Sequence, residues 1–412
     1  MKKLVKLIIK TICIIVVSSI VGTLLLVLSF SLPDASIQTN ASKSSMQLVG
    51  VGDYPSVIDG FNGTMLDNYT DAIMINSASY IPNNYSLIER VLKVPQAHAD
   101  WTSGPIADLY EYYNDEDAII EAKSYERYWH GYITILRPLL MFCDYANIKF
   151  IYFALHFVLL FVFLSLLKKK TNIVVTFSFL ISYICTYAFI VPLSLQYSHV
   201  FFIMLVSGII LLKYNDVLNK NHGIYFFFLI VGIITSYFDL LTYPLVTLGI
   251  NLIIYILINK DIKIKDILIY ISMWFIGYGG MWFMKWLISS IILGENVFLN
   301  AYNQIKQRTG GGYKILDVIS GNLFYLKHST TFIVFVSALI SNIILKIKNR
   351  INKPAFNKQK FISIIIVIIL PMIWYAILRE HSSSHSVFTF RSLIISLFGI
   401  LMLPECFETK YK

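Results

Sequence analysis

Long apolar runs dominate the pattern of the chain. The first covers 7–30, and others follow at 148–167, 172–191, 199–212, 223–241, 245–259, 267–293, 331–346, 361–378 and 387–403. A helix rising 1.5 Å per residue needs about 20 such residues to cross a hydrocarbon layer of about 30 Å. The pattern therefore predicts ten spans. The first run exceeds the apolar core of about 7–15 residues in a signal peptide, and no A-x-A cleavage motif follows it, so a retained anchor is expected. The run at 267–293 holds Gly277, Gly279, Gly280 and Lys285, which predicts tilt or a kink, with Lys285 snorkelling or paired to a carboxylate. The run at 133–143 is too short to span and reads as re-entrant or interfacial.

Composition agrees. Of 412 residues, 57% are hydrophobic and 14% charged, against about 25% charged in an average soluble domain. That excludes an ordinary cytosolic enzyme, a disordered chain and a disulfide scaffold. The net charge of +10 would suggest nucleic acid in a soluble protein. Here the segments between spans explain it. With the N-terminus inside, the inner segments hold twenty of the 34 basic residues but only five of the 24 acidic ones. Such a bias predicts cytoplasmic N- and C-termini in the plasma membrane and no nucleic-acid partner.

Three regions follow: an anchor at 1–32, a long outer loop at 33–132, and a polytopic region at 133–412 with a second outer loop at 294–330. The fold class expected is all-α, with about ten transmembrane helices. In the first loop, 33–47 is Ser-, Ala- and Asn-rich and reads as a flexible stalk. Segments 67–79, 106–113 and 118–128 have helical apolar spacing and could lie on the outer leaflet. In the second outer loop, Gly310-Gly311-Gly312 gives a mobile hinge and lacks the spacing of a P-loop.

Ionisable groups collect at the outer ends of the spans, where they are expensive and are functional candidates. Asp67 and Asp71 stand four apart, so a helix would put both on one face. There they suit a divalent cation, acid–base chemistry or a helix start. Asp53 sits in a Gly-Asp-Tyr-Pro turn. His130 lies in Tyr128-Trp129-His130-Gly131-Tyr132. Asp239 ends a span, as a helix-end hydrogen bond or half of an ion pair. Arg137, Arg379 and Arg391 suit bidentate capture of phosphate, or snorkel to the interface. His381 and His385 have the spacing of a metal pair, but no third ligand is evident; hydrogen bonding to phosphate or sugar suits them better. No motif fixes a cofactor.

With Leu66-Asp67-Asn68-Tyr69-Thr70-Asp71-Ala72, Arg127 to Tyr132 through Leu136-Arg137-Pro138, Phe238-Asp239-Leu240-Leu241-Thr242-Tyr243-Pro244, and His381 to Arg391 in place, the chain resembles the GT-C superfamily. These are membrane glycosyltransferases that use polyprenyl-phosphate-linked sugars. The likeness covers nearly the whole chain, through an N-in first span, a long first outer loop, juxtamembrane helices and about ten spans. The Asp-Glu pair found in the first loop of several such enzymes is absent. The resemblance implies transfer of a sugar from a polyprenyl-phosphate donor to an extracytoplasmic acceptor. Asp67 or Asp71, in preference to Asp53, would be the base. Arg137, Arg379 or Arg391 would hold the donor phosphate, and His130, Asp239, His381 and His385 would line the substrate site. It leads one to expect Asp67 or Asp71, Arg137, Asp239 and Arg391 in one outward cavity with a lateral opening to lipid; scatter around the rim would weaken the enzyme reading sharply. The rival readings are a flippase or transporter of lipid-linked saccharide, a polysaccharide polymerase or ligase, and a membrane scaffold without catalysis.

Overall fold

The structure, a computed structural model, describes residues 2–99, 104–348 and 355–408. Arg350, Lys353, Lys410 and Lys412, part of the inner positive charge, lie outside these residues. The chain is nearly all-α. Helix α1 (Lys2–Phe30) covers the segment expected to be an anchor and is long and apolar enough to cross a membrane. The first loop folds into α2 (Asp34–Val51), α3 (Asn68–Ser79), α4 (Leu87–Lys93), α5 (Pro105–Asn114) and α6 (Ile133–Leu140). A two-stranded antiparallel ribbon, β1 (Gln96–Ala99) with β2 (Ile120–Lys123), closes it. Then come α7 (Tyr145–Lys170), α8 (Ile173–Cys185), α9 (Leu195–Leu218), α10 (Gly223–Phe238), α11 (Leu245–Ile258) and α12 (Ile264–Leu293). Helices α13 (Val297–Arg308) and α14 (Ile315–Phe324) build the segment at 294–330. Helix α15 (Ser329–Lys348), α16 (Lys358–Ile377), the short α17 (Arg379–Ser384) and α18 (Ser386–Thr389), and α19 (Ile394–Met402) complete the order.

Among the described residues, seven helices are long and apolar enough to cross a membrane. Their outward side chains confirm the solvent: Leu28, Phe150, Phe161 and Phe332 are all more than 60% exposed, a poor arrangement in water and a good one in lipid. The protein is a multi-pass membrane protein. Three further apolar segments are helices of only 13, 16 and 14 residues, α8, α10 and α11. Each is about 20–24 Å long at 1.5 Å per residue. The chain at 186–194 and 239–244, beside the ends of these helices, is largely buried, and polar side chains such as Thr186 and Asp239 meet open peptide groups there.

The first loop departs from the expected stalk. Residues 34–51 form α2 and bury Ile37, Ala41, Ser44, Ser45 and Leu48. Small polar side chains make this segment look like a linker, but their helical spacing gives one face that packs against α3 and α5. Segment 118–128 is likewise not a helix; it supplies β2 and a turn. The expected helices at 67–79 and 106–113 are α3 and α5. Both have clear starts: Asp67 caps α3, and Pro105 occupies the first turn of α5.

Helices α10 and α12 meet backbone to backbone. A Cβ built on Gly232 would lie 2.2 Å from the Trp274 carbonyl oxygen, and one on Gly277 would lie 2.1 Å from that of Leu229. Small residues permit such close approach in membrane helices. Gly279, two residues on, has open space around it. Gly232→Ala and Gly277→Ala should each lower the melting temperature in detergent sharply, by roughly 2–3 kcal/mol of stability. Gly279→Ala should be neutral or stabilising by up to about 1 kcal/mol. Equal melting of all three variants would remove the contact.

Candidate functional site

The sequence candidates separate into three polar centres at helix ends. The first surrounds Arg137 on α6. Its guanidinium is fully buried. It donates to the carbonyls of Ser29, Ala78 and Leu32 at 2.8, 2.6 and 3.2 Å and to Asp34 at 2.6 Å. Arg90 also holds Asp34, at 3.0 Å. Burial would raise the Asp34 pKa, but the two guanidiniums override it and hold the carboxyl below its ordinary value. These contacts tie α1, α2, α3 and α4 together and occupy the donors a phosphate would need.

The second centre joins the first loop to α9 and the segment after α17. Asp67 accepts from the Thr70 amide and hydroxyl, both at 2.9 Å, and so caps α3. Asp71 belongs to α9 as much as to α3. It accepts from Tyr145 Oη at 2.7 Å, Ser194 Oγ at 3.0 Å, and the amides of Leu195 and Gln196 at 3.0 and 2.9 Å. The two carboxylates thus cap the N-termini of two different helices. Arg391 donates to the carbonyls of Gly63 and Val387 and lies 4.3 Å above the Tyr197 ring. Burial pushes the Asp67 pKa up to about 7; the Asp71 charge adds to this, while the Thr70 bonds and Arg391 oppose it. Asp71 is also raised by burial, against its four donors. Asp53 is exposed in the turn before α3.

The third centre is open. A cavity of about 540 Å³ lies between α13 and α17, with Lys306, Arg308, Gly310, Glu380, His381 and His385 in its wall. Arg308 Nη1 donates to His381 Nδ1 at 2.7 Å, and His381 Nε2 donates to the Leu241 carbonyl at 2.7 Å. A guanidinium only donates and a carbonyl only accepts, so His381 is neutral with its proton on Nε2. Burial, then the Arg308 and His385 charges, hold its pKa well below the ordinary value. Leu241 has φ of +67°, a left-handed conformation that strains a branched side chain. In the same loop Asp239 takes the Thr242 amide and hydroxyl on Oδ1. Glu380 accepts the Gly312 amide at 2.7 Å, so the triple-glycine turn is latched to the rim of the cavity. Arg379 is half-buried and donates to the Ala376 carbonyl.

His130 sits between centres. Its ring nitrogens bond the Tyr125 carbonyl and Tyr132 Oη, and burial pushes its pKa down to about 3. Its neighbours clamp the loop to the spans: Trp129 Nε1 donates to the Met281 carbonyl, and Gly131 donates to Tyr237 across a gap that admits no Cβ. Lys285 is buried without snorkelling; it donates to the Leu92 carbonyl in the last turn of α4.

Asp67, Asp71, Arg137, Asp239 and Arg391 therefore do not share one cavity. Asp67, Asp71 and Arg391 come together in a buried network, Arg137 stands apart, and Asp239 belongs to the His381 loop. Among the described residues no three His, Cys, Asp or Glu side chains gather to hold a metal ion. The cavity residues Arg308, Lys306 and Glu380 were not prominent in the sequence. Their signal was the Arg308 and Lys314 pair flanking three glycines and the amphipathic spacing of 297–308. No family model matches the chain, and neither do curated proteins or solved structures.

The Asp67 pKa sets a pH dependence. The folded protein keeps this proton up to about pH 7, while the unfolded chain releases it near the ordinary 3.8. Stability from this group is present below pH 4 and is lost as pH rises to 7, by roughly 4 kcal/mol. Asn can still cap α3. Asp67→Asn should melt with the parent at pH 4 and several degrees above it at pH 8. A gap independent of pH would reject the assignment.

Proposed function

We propose that the chain is a membrane glycosyltransferase of GT-C build. It would move a sugar from a polyprenyl-phosphate carrier to an extracytoplasmic acceptor. The observation that carries this is the cavity walled by Lys306, Arg308, Glu380, His381 and His385, at the outer ends of apolar helices. Lys306 and Arg308 would neutralise the charge that grows on the departing phosphate. The sugar C1–O bond to phosphate breaks, with its electron pair on the phosphate oxygen. The acceptor oxygen bonds C1 and gives its proton to Glu380, the carboxylate on the wall. His381 orients Arg308. Among first-loop carboxylates, Asp67 suits the same proton transfer by its pKa near 7, whereas Asp71 is committed to α9.

Two further features agree. An apolar groove of about 500 Å³ runs between α9 and α10, from Leu218 and Gly223 to Ile135 and Phe238, and matches an isoprenoid tail in shape and polarity. Phe238 directly precedes Asp239. A flippase would need a polar path for the headgroup, but the groove wall carries only two polar side chains, His199 and Ser207, and both are already hydrogen-bonded. Helices also cover all ten apolar segments, which suits ten crossings with both termini cytoplasmic.

Purified protein in proteoliposomes, given polyprenyl-phosphate-linked hexoses and pentoses with cell-envelope acceptors, should release free polyprenyl phosphate. Glu380→Gln should lower kcat by roughly 10²–10⁴-fold, and Asp67→Asn should change it little. The reverse result would move the base to Asp67. Movement of intact donor across the bilayer without release would reject the transferase.

A further inference from the structure

A second cavity, of about 330 Å³, opens beside the first. Glu126, Glu295, Asn296, Asn300 and Asn303 stand in its wall, and Asn303 also lines the larger cavity of about 540 Å³. The two meet at that side chain and make one cleft along α13. Past Asn303 the cleft continues along Gln304 and Gln307. Asn300, Asn303 and Gln307 stand at i, i+3 and i+7, which puts them on one face of the helix. Asn296, the residue that caps α13, extends the row by one turn. The row of carboxamides runs for about 16 Å at 1.5 Å per residue. Val297 and Ala301, both 2% exposed, pack the adjoining face of α13 into the protein. The facing wall is Glu126 at one end and Glu380, Ser384 and His385 of α17 at the other. Asn300 Nδ2 reaches over to Glu126 Oε1 at 2.8 Å.

The side chains of the cleft select a class of ligand. A carboxamide donates and accepts at once, and no protein group among the described residues engages those of Asn303, Gln304 and Gln307. None of the four row positions carries a charge, although Lys and Glu are the usual residues of a solvated face. An anionic polymer would meet the Glu126 carboxylate at the far end; Glu295 beside it is paired with Lys93 at 2.8 Å. A peptide would need recesses for its side chains, and the apolar lining among the described residues is only Val297 and Leu299. A saccharide chain presents hydroxyls on every ring, each both donor and acceptor, and so answers carboxamides and a carboxylate without such recesses. We propose that the α13 cleft binds a neutral oligosaccharide of more than one ring, the acceptor whose growing end lies at Glu380. Its role as acceptor rests on the transferase reading; the binding does not.

The test separates binding from turnover. Full-length protein in nanodiscs is applied to an array of neutral oligosaccharides of one to six rings, built from glucose, galactose, mannose, rhamnose or N-acetylhexosamines. Polyglycerol phosphate and a hexapeptide library share the array. At least one neutral series should bind, with the trisaccharide roughly tenfold tighter than its monosaccharide. Asn303→Ala combined with Gln307→Ala should remove that tenfold gain and leave the monosaccharide little changed. Both positions are exposed, so the fold is not at stake. Tyr302→Ala, at an exposed position on another face of α13, should change nothing. The cleft would be overturned if no neutral oligosaccharide bound, if affinity ignored chain length, or if Tyr302→Ala weakened binding as much as the double variant. Tighter binding of polyglycerol phosphate or of peptides would overturn it too. Length-dependent binding without release of polyprenyl phosphate in the transfer assay would support the cleft and reject the transferase. Release onto an oligosaccharide that the double variant uses with unchanged KM would keep the transferase and overturn the cleft.

Discussion

The Asp71 carboxylate connects the water-facing and lipid-facing halves of the molecule. It leaves α3, receives the first two amides of α9, and takes the hydroxyl of Tyr145 at the start of α7. A helix N-terminus leaves four amides without intrahelical partners, and in a membrane protein few other groups can supply them. Here another element's carboxylate does so, with the helix dipole favouring its charge. Its position fixes where α9 begins, and so where the α9–α10 groove and the Tyr197 ring under Arg391 stand. Arg137 does the same for the anchor, by donating to the open carbonyls of Ser29 and Leu32 near the end of α1.

These contacts explain the short helices. Helices α8, α10 and α11 stop short because the chain at this end turns to polar partners. After α10 it becomes the Asp239–Pro244 loop, kept in a strained conformation at Leu241 by His381. Such strain persists only where the surroundings over-determine it. Two short apolar helices therefore end in a polar, partly irregular layer, and the open cavity lies beside it.

Seven of the ten expected spans were legible because a 20-residue apolar run has few other uses, and the polar clusters because ionisable groups near hydrocarbon are rare. What the clusters do was not legible. Asp34 and Arg137 are 103 residues apart, and Arg391 and Gly63 are 328 apart; nothing local announces either pairing. The spacing of Asp67 and Asp71 left a helix start as one reading beside a cation or acid–base site, and it could not show that each caps a different helix. The segment now seen as α2 was misread because Ser, Thr and Asn signal loops on average, yet they pack well where helices approach closely. Glu380 and Arg308 were passed over because each gains meaning only from the other's helix.

The segment from Glu380 to Arg391 links the two deeper centres. Its first residues form the cavity wall, where Glu380 latches the glycine turn and His381 bridges Arg308 to Leu241. Its last residue lies over Tyr197 beside Asp67. Tyr243, two residues after Leu241, donates to the Tyr197 carbonyl at 2.6 Å, so the loop held by His381 is also bonded to the helix that Asp71 caps. Arg308, His381 and the Leu241 carbonyl are joined by hydrogen bonds, the chain runs from Leu241 to Tyr243, and Tyr243 bonds to α9. Such a layer has few intermediate positions, because packed interiors switch between discrete arrangements rather than deform. On the cavity wall Arg308 and Glu380 are held in this way, by His381 and by the Gly312 amide.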